Sequence, residues 1–463
     1  MNTNSSSATS RREFIKQTGA VVTVSALAGI VLPHVHAAEN NTIQIALVGC
    51  GGRGTGAAVD ALSVKHGPVK LVAMADVFES QLSRSFNSLK QAFPTAVEVP
   101  SEKQFVGFDG YKHAMDALRP GDIVILTTPP AFRWVHFGYA VAKGLNVFME
   151  KPVTVDGPTS KRMFALAEAA PAKNLKVGVG LMSRHSRALQ ELHQRIQDGE
   201  IGDLISMRGY RMQGPVAFFA SVLKPAGISE LHYQIQRFHS FLWASGGCFS
   251  DFNIHIIDQV CWMKNAWPIR AEALGARHFR QSPEGISYID QNLDVYAVEY
   301  TFADGSKFNF DGRCISGCQD RYSSSVHGSK GMAIVSKAGD CGGPSSTYKG
   351  QLVRRADQLW ESKTNPEEQN PYRNEWNDLV EAIRNDKPYN EAKYGIEASL
   401  VTSMGRMAAH TGQAVTYEEM LDCEHEFAPG LDKITAESPA PLQLAADGRY
   451  PMPQPGLTVK REY

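Results

Sequence analysis

Between Thr42 and Pro152 the chain alternates short, unbroken apolar runs with longer stretches whose apolar residues recur at helical spacing. The runs fall at 43–48, 69–75, 122–127 and 146–149, and continuous runs of this kind suit parallel strands covered on both faces. The alternation predicts a doubly wound α/β sheet, continued by a further βαβ unit through 176–180. Beyond Arg184 the pattern changes. A helix ending near Gly199 precedes β-rich segments at 204–212, 269–274, 295–302 and 307–310. These predict an open, mostly antiparallel sheet with one exposed face, and Asp304-Gly305 marks a hairpin turn between the last two segments. Helical spacing returns at 374–385 and 395–410, and 438–463 is rich in proline.

The turn after the first strand carries candidate chemistry. Gly49-Cys50-Gly51-Gly52-Arg53-Gly54 directly follows an apolar strand and opens a helix rich in Ala and Val, the context a dinucleotide-binding loop requires. Its first glycine permits the tight turn, the second lets backbone approach a pyrophosphate, and the third brings helix and strand together at the helix N-terminus. Asp76 closes the second strand about 20 residues further on, where a carboxylate accepts hydrogen bonds from ribose hydroxyls. It favours NAD and leaves NADP open. Arg53, inside the loop, is read as a phosphate contact or a solvent-facing side chain.

The first 38 residues change the picture of where this chemistry operates. Ser10-Arg11-Arg12-Glu13-Phe14-Ile15-Lys16 runs into a moderately apolar stretch, and Val35-His36-Ala37 reads as a small-x-small cleavage site. The stretch is short for a bilayer span and diluted by glycine and hydroxyl residues, so stable membrane insertion after cleavage is not expected. Twin arginines of this form look like a bacterial Tat signal, which carries folded proteins through the Tat machinery to an extracytoplasmic or periplasmic destination. Such compartments offer little free nicotinamide cofactor, so the cofactor is expected to travel tightly bound.

Charge excludes other classes: 47 Lys and Arg against 48 Asp and Glu, without long single-sign runs, point away from nucleic acid and towards a neutral small substrate. Seven cysteines leave at least one unpaired; Cys314 and Cys318 are the near neighbours, as a disulfide or as buried thiols. No His or Cys cluster has metal-ligand spacing, and no metal is assigned. Length implies two domains. After the 1–38 signal, 39–182 is assigned to a Rossmann dinucleotide-binding domain and 183–437 to an α/β substrate and oligomerisation domain, whose last helices are able to pack back on the first. The tail 438–463 is expected to lie extended over a surface or a neighbouring subunit.

Two later segments are more specific. Glu150-Lys151-Pro152 ends a strand at the carboxyl edge, where ligands of open α/β sheets bind. Asp251 and His255 lie four apart, on one face of a helix beginning after Gly246-Gly247, with Asp258 one turn on. With the glycine loop, these segments resemble the Gfo/Idh/MocA oxidoreductase family from Ile43 to about His410. Thr128-Pro129-Pro130 with His136 also resembles the family segment beside the nicotinamide ribose, although Arg133-Trp134 replaces the usual small or His residues. The resemblance implies a second domain with an open sheet beneath the nicotinamide and a homo-oligomer.

Oxidising a secondary alcohol requires loss of a hydride from carbon and a proton from oxygen. His255 is read as the general acid/base, Asp251 as its partner or a sugar contact, and Lys151 as the cationic donor that stabilises a developing alkoxide. Arg184, Arg237, His239 and Trp243 are candidate carbohydrate contacts, Trp243 by stacking on a ring face; Tyr210, Arg211 and Tyr322 stand behind them. Three functions compete: an NAD(P)-dependent sugar or glycoside dehydrogenase, a redox-assisted glycoside hydrolase of the same family, and a non-catalytic sugar-binding protein. Those hydrolases often carry Tyr-x-x-His where this chain has Asp251 and His255.

Overall fold

The computed structural model describes residues 41–463 apart from 279, 283 and 447; the segment read as an export signal lies outside the described residues. The first sheet holds β1 (Ile43–Val48), β2 (Val69–Asp76), β3 (Gln104–Val106), β4 (Ile123–Leu126), β5 (Asn146–Met149) and β6 (Val177–Val179). Their order is β3-β2-β1-β4-β5-β6 and every pair is parallel. The order reverses between β1 and β4, so the connections diverge and leave a crevice at the carboxyl ends of the strands. Both faces are covered, which is why the strands are apolar throughout. Phe137 and Met163 lie on one side against Val124 and Val147. Trp376, Leu379 and Val380 of helix Pro371–Arg384 return from late in the chain to cover Ile45, Leu47 and Phe148 on the other.

The second sheet comprises β7 (Leu204–Gln213), β8 (Arg270–Ala276), β9 (Val295–Thr301), β10 (Lys307–Cys314), β11 (Arg321–Gly328), β12 (Gly331–Ser336), β13 (Ser346–Lys349), β14 (Gln358–Glu361) and β15 (Val415–Thr416). Its order is β14-β13-β12-β11-β7-β10-β9-β8-β15, and all pairs are antiparallel except β10 with β7. Asp304-Gly305 turns β9 into β10 as its composition predicts. Burial alternates along β9 and β10, the signature of a sheet with one covered face. Helix Gly247–Lys264 lies on that face, with Phe249, Ile256 and Val260 packed among Met207, Tyr300 and Phe308. Each such side chain contributes roughly 1.5–3 kcal/mol by leaving water. Close approach is essential here. A Cβ on Gly209 of β7 would stand 2.5 Å from Ile256 Cγ2.

The segment 438–463 is irregular, and it inserts into its own chain. Leu442 and Tyr450 are buried beside Phe241 and Trp243, and Glu462 is buried against Arg406 and His410. Its carboxylate accepts from Arg406 Nε and Nη2 at 2.8 Å each and meets His410 Nδ1 at 2.7 Å. Arg406 also donates to Ser250 Oγ at 2.6 Å and to the Val155 carbonyl at 2.8 Å, so the end of the chain braces the start of helix Gly247–Lys264. The seven cysteines are free thiols, Cys314 and Cys318 included. Among the described residues no helix is long and apolar enough to cross a membrane.

Burial alone would raise the Glu462 pKa, but Arg406 and His410 outweigh it and hold it at about 2, below its ordinary 4.5. A depressed carboxylate contributes stability that is complete above its unfolded-state value and is lost as pH falls through the folded one. The expected outcome is a melting midpoint that drops as pH is lowered from 4.5 towards 2. In Glu462→Gln that slope flattens and about 3–5 kcal/mol of stability is lost near neutral pH, measured by denaturant unfolding, because Arg406 is left buried without its counter-charge.

Candidate active site

At the end of β1 the chain turns through Gly49 with φ +97°, and a Cβ there would lie 2.7 Å from the Thr127 and Thr128 backbone. A Cβ on Gly54 would stand 2.0 Å from the Gly49 carbonyl oxygen. These two glycines are required by packing. Gly51 and Gly52 are different, since nothing lies within 4 Å of where their Cβ atoms would be. Gly51 caps helix Gly52–Leu62 without a side-chain hydrogen bond, leaving first-turn N–H groups beside open space. Asp76 accepts the Cys50 N–H at 2.6 Å and the Phe78 N–H at 2.8 Å. Asp76 lines the cavity, and a carboxylate has capacity to accept further hydrogen bonds.

Arg53 lines the cavity with its side chain partly exposed, and protein partners hold its guanidinium. Its Nε donates to Glu150 Oε1 at 2.6 Å, its guanidinium lies 4.7 Å over the Tyr372 ring, and Nη2 is 3.8 Å from Glu375. It is a strut between the glycine loop and the end of β5. Thr128, Pro129, His136, Glu150 and Lys151 line the same cavity of about 580 Å³. His136 lies 3.2 Å from Thr128 Oγ1 with its ring against Tyr111, and burial pushes its pKa down to about 3.

Helix Gly247–Lys264 closes the cavity from the other side. Lys151 Nζ donates to the Asp251 carbonyl at 2.6 Å and stands 3.6 Å from its carboxylate. The second carboxylate oxygen meets His239 Nε2 at 3.0 Å. His239 is held between the rings of Phe238 at 3.8 Å and Phe252 at 5.2 Å. Burial would raise the Asp251 pKa, but Lys151 and His239 outweigh it and keep the group ionised well below the usual range.

The expectation that Asp251 partners His255 is therefore corrected. One turn along, His255 Nδ1 is buried without a hydrogen-bond partner. Burial, then the charges of Lys151 and Arg211, push the His255 pKa well below 6.5, so its ring is neutral at neutral pH and able to accept a proton.

Of the four carbohydrate contacts read from the sequence, only His239 lines the cavity. Arg184 turns away to Asp258, with Nη2–Oδ1 at 2.7 Å, and stacks over Tyr394. Arg237 donates to Ser221 Oγ at 2.8 Å and to the Ala220 carbonyl at 2.6 Å. Trp243 is fully buried, its indole N–H bonded to Gln234 Oε1 at 2.7 Å, and offers no face to a sugar. The wall instead includes Arg133, Arg211, Asp340 and Tyr372. Asp340 and Tyr372 lie far from every motif in sequence and arrive by the folding-back of the later strands and helices. Arg133 was visible as a departure from the family pattern, without a role attached. Among the described residues no group of three His, Cys, Asp or Glu side chains is placed to hold a metal ion.

Comparison with known proteins agrees with this architecture. Residues 189–334 match the model of the GFO/IDH/MocA C-terminal domain. The chain is 32% identical to scyllo-inositol 2-dehydrogenase (NAD(+)) of Bacillus subtilis over 141 residues, which is 30% of this chain and 34% of that protein. The curated relatives are matched over about a third of their length. Among solved structures, myo-inositol 2-dehydrogenase from Lactobacillus plantarum superposes with a TM-score of 0.57 at 21% identity, covering 81% of this chain and 99% of that one. Levoglucosan dehydrogenase in complex with NADH gives a TM-score of 0.62 at 15% identity, with the same coverage. At these identities the structures show a shared fold.

The placement of Trp243 leads to a direct expectation. Trp243→Ala lowers stability by about 3–5 kcal/mol in denaturant unfolding, as the loss of a large core side chain requires. A change of less than about 1 kcal/mol would return this residue to the ligand side of the cavity wall.

Proposed function

We propose that this chain is a member of the Gfo/Idh/MocA oxidoreductases and oxidises a ring hydroxyl of a sugar, polyol or glycoside, the hydride passing to a nicotinamide dinucleotide. One observation carries the reading: a neutral imidazole, His255, stands with the fixed ammonium of Lys151 at the carboxyl edge of a parallel sheet, beside an open glycine cradle. The cradle suits the dinucleotide on its own geometry. The space before Gly51 and Gly52 admits a pyrophosphate to the uncapped helix end, and Asp76 suits a ribose diol and repels a 2′-phosphate, favouring NAD over NADP.

When bound, the dinucleotide supplies the hydride acceptor. The chain's own residues handle the proton. His255 accepts it from the substrate hydroxyl as general base, and Lys151 donates a hydrogen bond that stabilises the alkoxide as it forms. Asp251 holds both Lys151 and His239 in place. The inositol and levoglucosan dehydrogenases among the similar proteins support the substrate class.

Other parts of the reading rest on sequence. Export by a twin-arginine route, a cofactor retained after export, and the division into 39–182, 183–437 and a 438–463 tail belong to the same proposal. Exposed Ile205, Leu274 and Leu359 on strands of the second sheet support a homo-oligomer. A second reading, redox-assisted glycoside hydrolysis, is favoured by one observation: His239 joined to Asp251 places a second imidazole in the cavity wall. Release of free aglycone without net cofactor reduction separates it from the dehydrogenase.

The test is to purify the exported protein, identify any nucleotide released by denaturation, and follow the nicotinamide absorbance while adding sugars and inositols. Reduction by a polyol supports the proposal; an empty protein that neither takes up NAD nor reduces it with any polyol overturns it. His255→Asn should retain nucleotide and lose about 10²–10⁴ in turnover. In the unmodified enzyme kcat/KM should stay level as pH falls through 6.5 and decline only well below it, and an acid limb at or above 6.5 would exclude His255 as the base. Gly51→Ala should keep the melting temperature and lose nucleotide, whereas Gly54→Ala should lower both, because only the latter methyl meets backbone at 2.0 Å.

A further inference from the structure

Four cations line the cavity, and they are not equally answered. Arg53 is paired with Glu150 at 2.6 Å, although its Nη2 meets no acceptor within hydrogen-bond distance, and Lys151 is held by the Asp251 carbonyl and carboxylate. Arg133 is almost wholly buried, at 1% exposure, and its one hydrogen bond runs from Nη2 to the Thr128 carbonyl at 2.8 Å. Its Nε and Nη1 meet no acceptor. Arg211 donates through Nη1 to the Phe252 carbonyl at 2.5 Å and to Tyr322 Oη at 2.9 Å, and its Nε also meets none.

A buried charged donor without an acceptor is costly, and nearby acids do not relieve it. Glu150 and Asp251 lie in the field of Arg133, but each is already bonded elsewhere, to Arg53 and to His239 with Lys151. Asp340, the acid in the field of Arg211, takes the Tyr322 hydroxyl and is itself pushed up by burial. Burial holds the Arg133 pKa down to about 10, the mark of a charge not fully compensated.

We infer that the cavity is built for a sugar acid: a ring bearing one carboxylate, held in the positive field that the buried Arg133 and Arg211 set up at its wall. The inference rests on the proposed sugar oxidoreductase reading and narrows its substrate from neutral sugars to hexuronate-type acids. A phosphate-bearing substrate is a poorer match, because the backbone cradle suited to phosphate lies at Gly51 and Gly52.

The experiment is titration calorimetry of the purified full-length protein, saturated with NAD, against D-glucuronate and D-galacturonate. Each is compared with its uronamide, which keeps the shape and removes the charge. The acid of at least one pair should bind about tenfold to a hundredfold more tightly than its amide, the range expected for a hydrogen-bonded buried ion. Arg133→Gln should remove that difference. Equal affinities for acid and amide in both pairs, or no acid bound by the unmodified protein, overturn the inference without any need for the variant to fold. A variant that loses NAD affinity while the acid-to-amide ratio stands also overturns it, since the free donors of Arg133 would then serve the dinucleotide. Reduction of NAD by neutral polyols alone sinks the sugar-acid inference and leaves the oxidoreductase standing. Binding of uronate by a protein that reduces no NAD with any polyol or uronate does the reverse.

Discussion

The ammonium of Lys151 is the point on which the two halves of the site depend. It projects from the end of β5 in the parallel sheet and donates at 2.6 Å to the backbone carbonyl of Asp251, a residue of the helix that covers the second sheet. A carbonyl partner fixes position more firmly than a carboxylate rotamer would, because the helix backbone cannot swing away. That helix is itself pinned. Gly209 lets it sink onto β7, and Arg406, answered by the buried Glu462, holds the Ser250 hydroxyl near its first turn. A residue next to the end of the chain therefore braces the base carrying Asp251 and His255.

Position and charge are linked through the same ammonium. Lys151 helps hold Asp251 ionised against burial, and it also helps hold His255 neutral. Two ionisable groups on one helix face are thus driven to the same deprotonated state by one cation, leaving a neutral base beside a charged carboxylate. Arg53 performs a similar balancing act at the other end of the cavity, where it keeps Glu150 company and leaves the open faces of Gly51 and Gly52 unobstructed. The loop arginine serves the loop by turning away from it.

Much of the fold was legible because its signals are local. Unbroken apolar runs mark strands covered on both faces, and the strand-loop-helix context separates this glycine loop from an ordinary turn. Asp251 and His255 were legible as a pair on one helix face, but not as partners, since i,i+4 spacing brings side chains near without choosing their bonds. His239, twelve residues earlier, takes the carboxylate instead. Arg184, Arg237 and Trp243 were misplaced for a related reason. Nearness in sequence to a motif says where a backbone goes and not where a side chain points, and each of these found a partner away from the cavity. Asp340 and Tyr372 carried no local signal, because only the tertiary fold brings them to the wall.

The bonding of Asp251 bears on which histidine serves as the base. His239 directs Nε2 to the Asp251 carboxylate, so that nitrogen is not open to a substrate hydroxyl. His255 has no such partner at Nδ1, and burial together with the charges of Lys151, Arg211 and Arg53 opposes its protonation. The helix thus separates two roles that the sequence had joined: Asp251 organises Lys151 and His239, and His255 stays unprotonated with no bond at Nδ1. An Asp251–His255 hydrogen bond would have raised the proton affinity of the ring and left it partly charged near neutral pH. Burial and the neighbouring cations, unopposed by such a bond, keep this imidazole neutral and able to accept a proton.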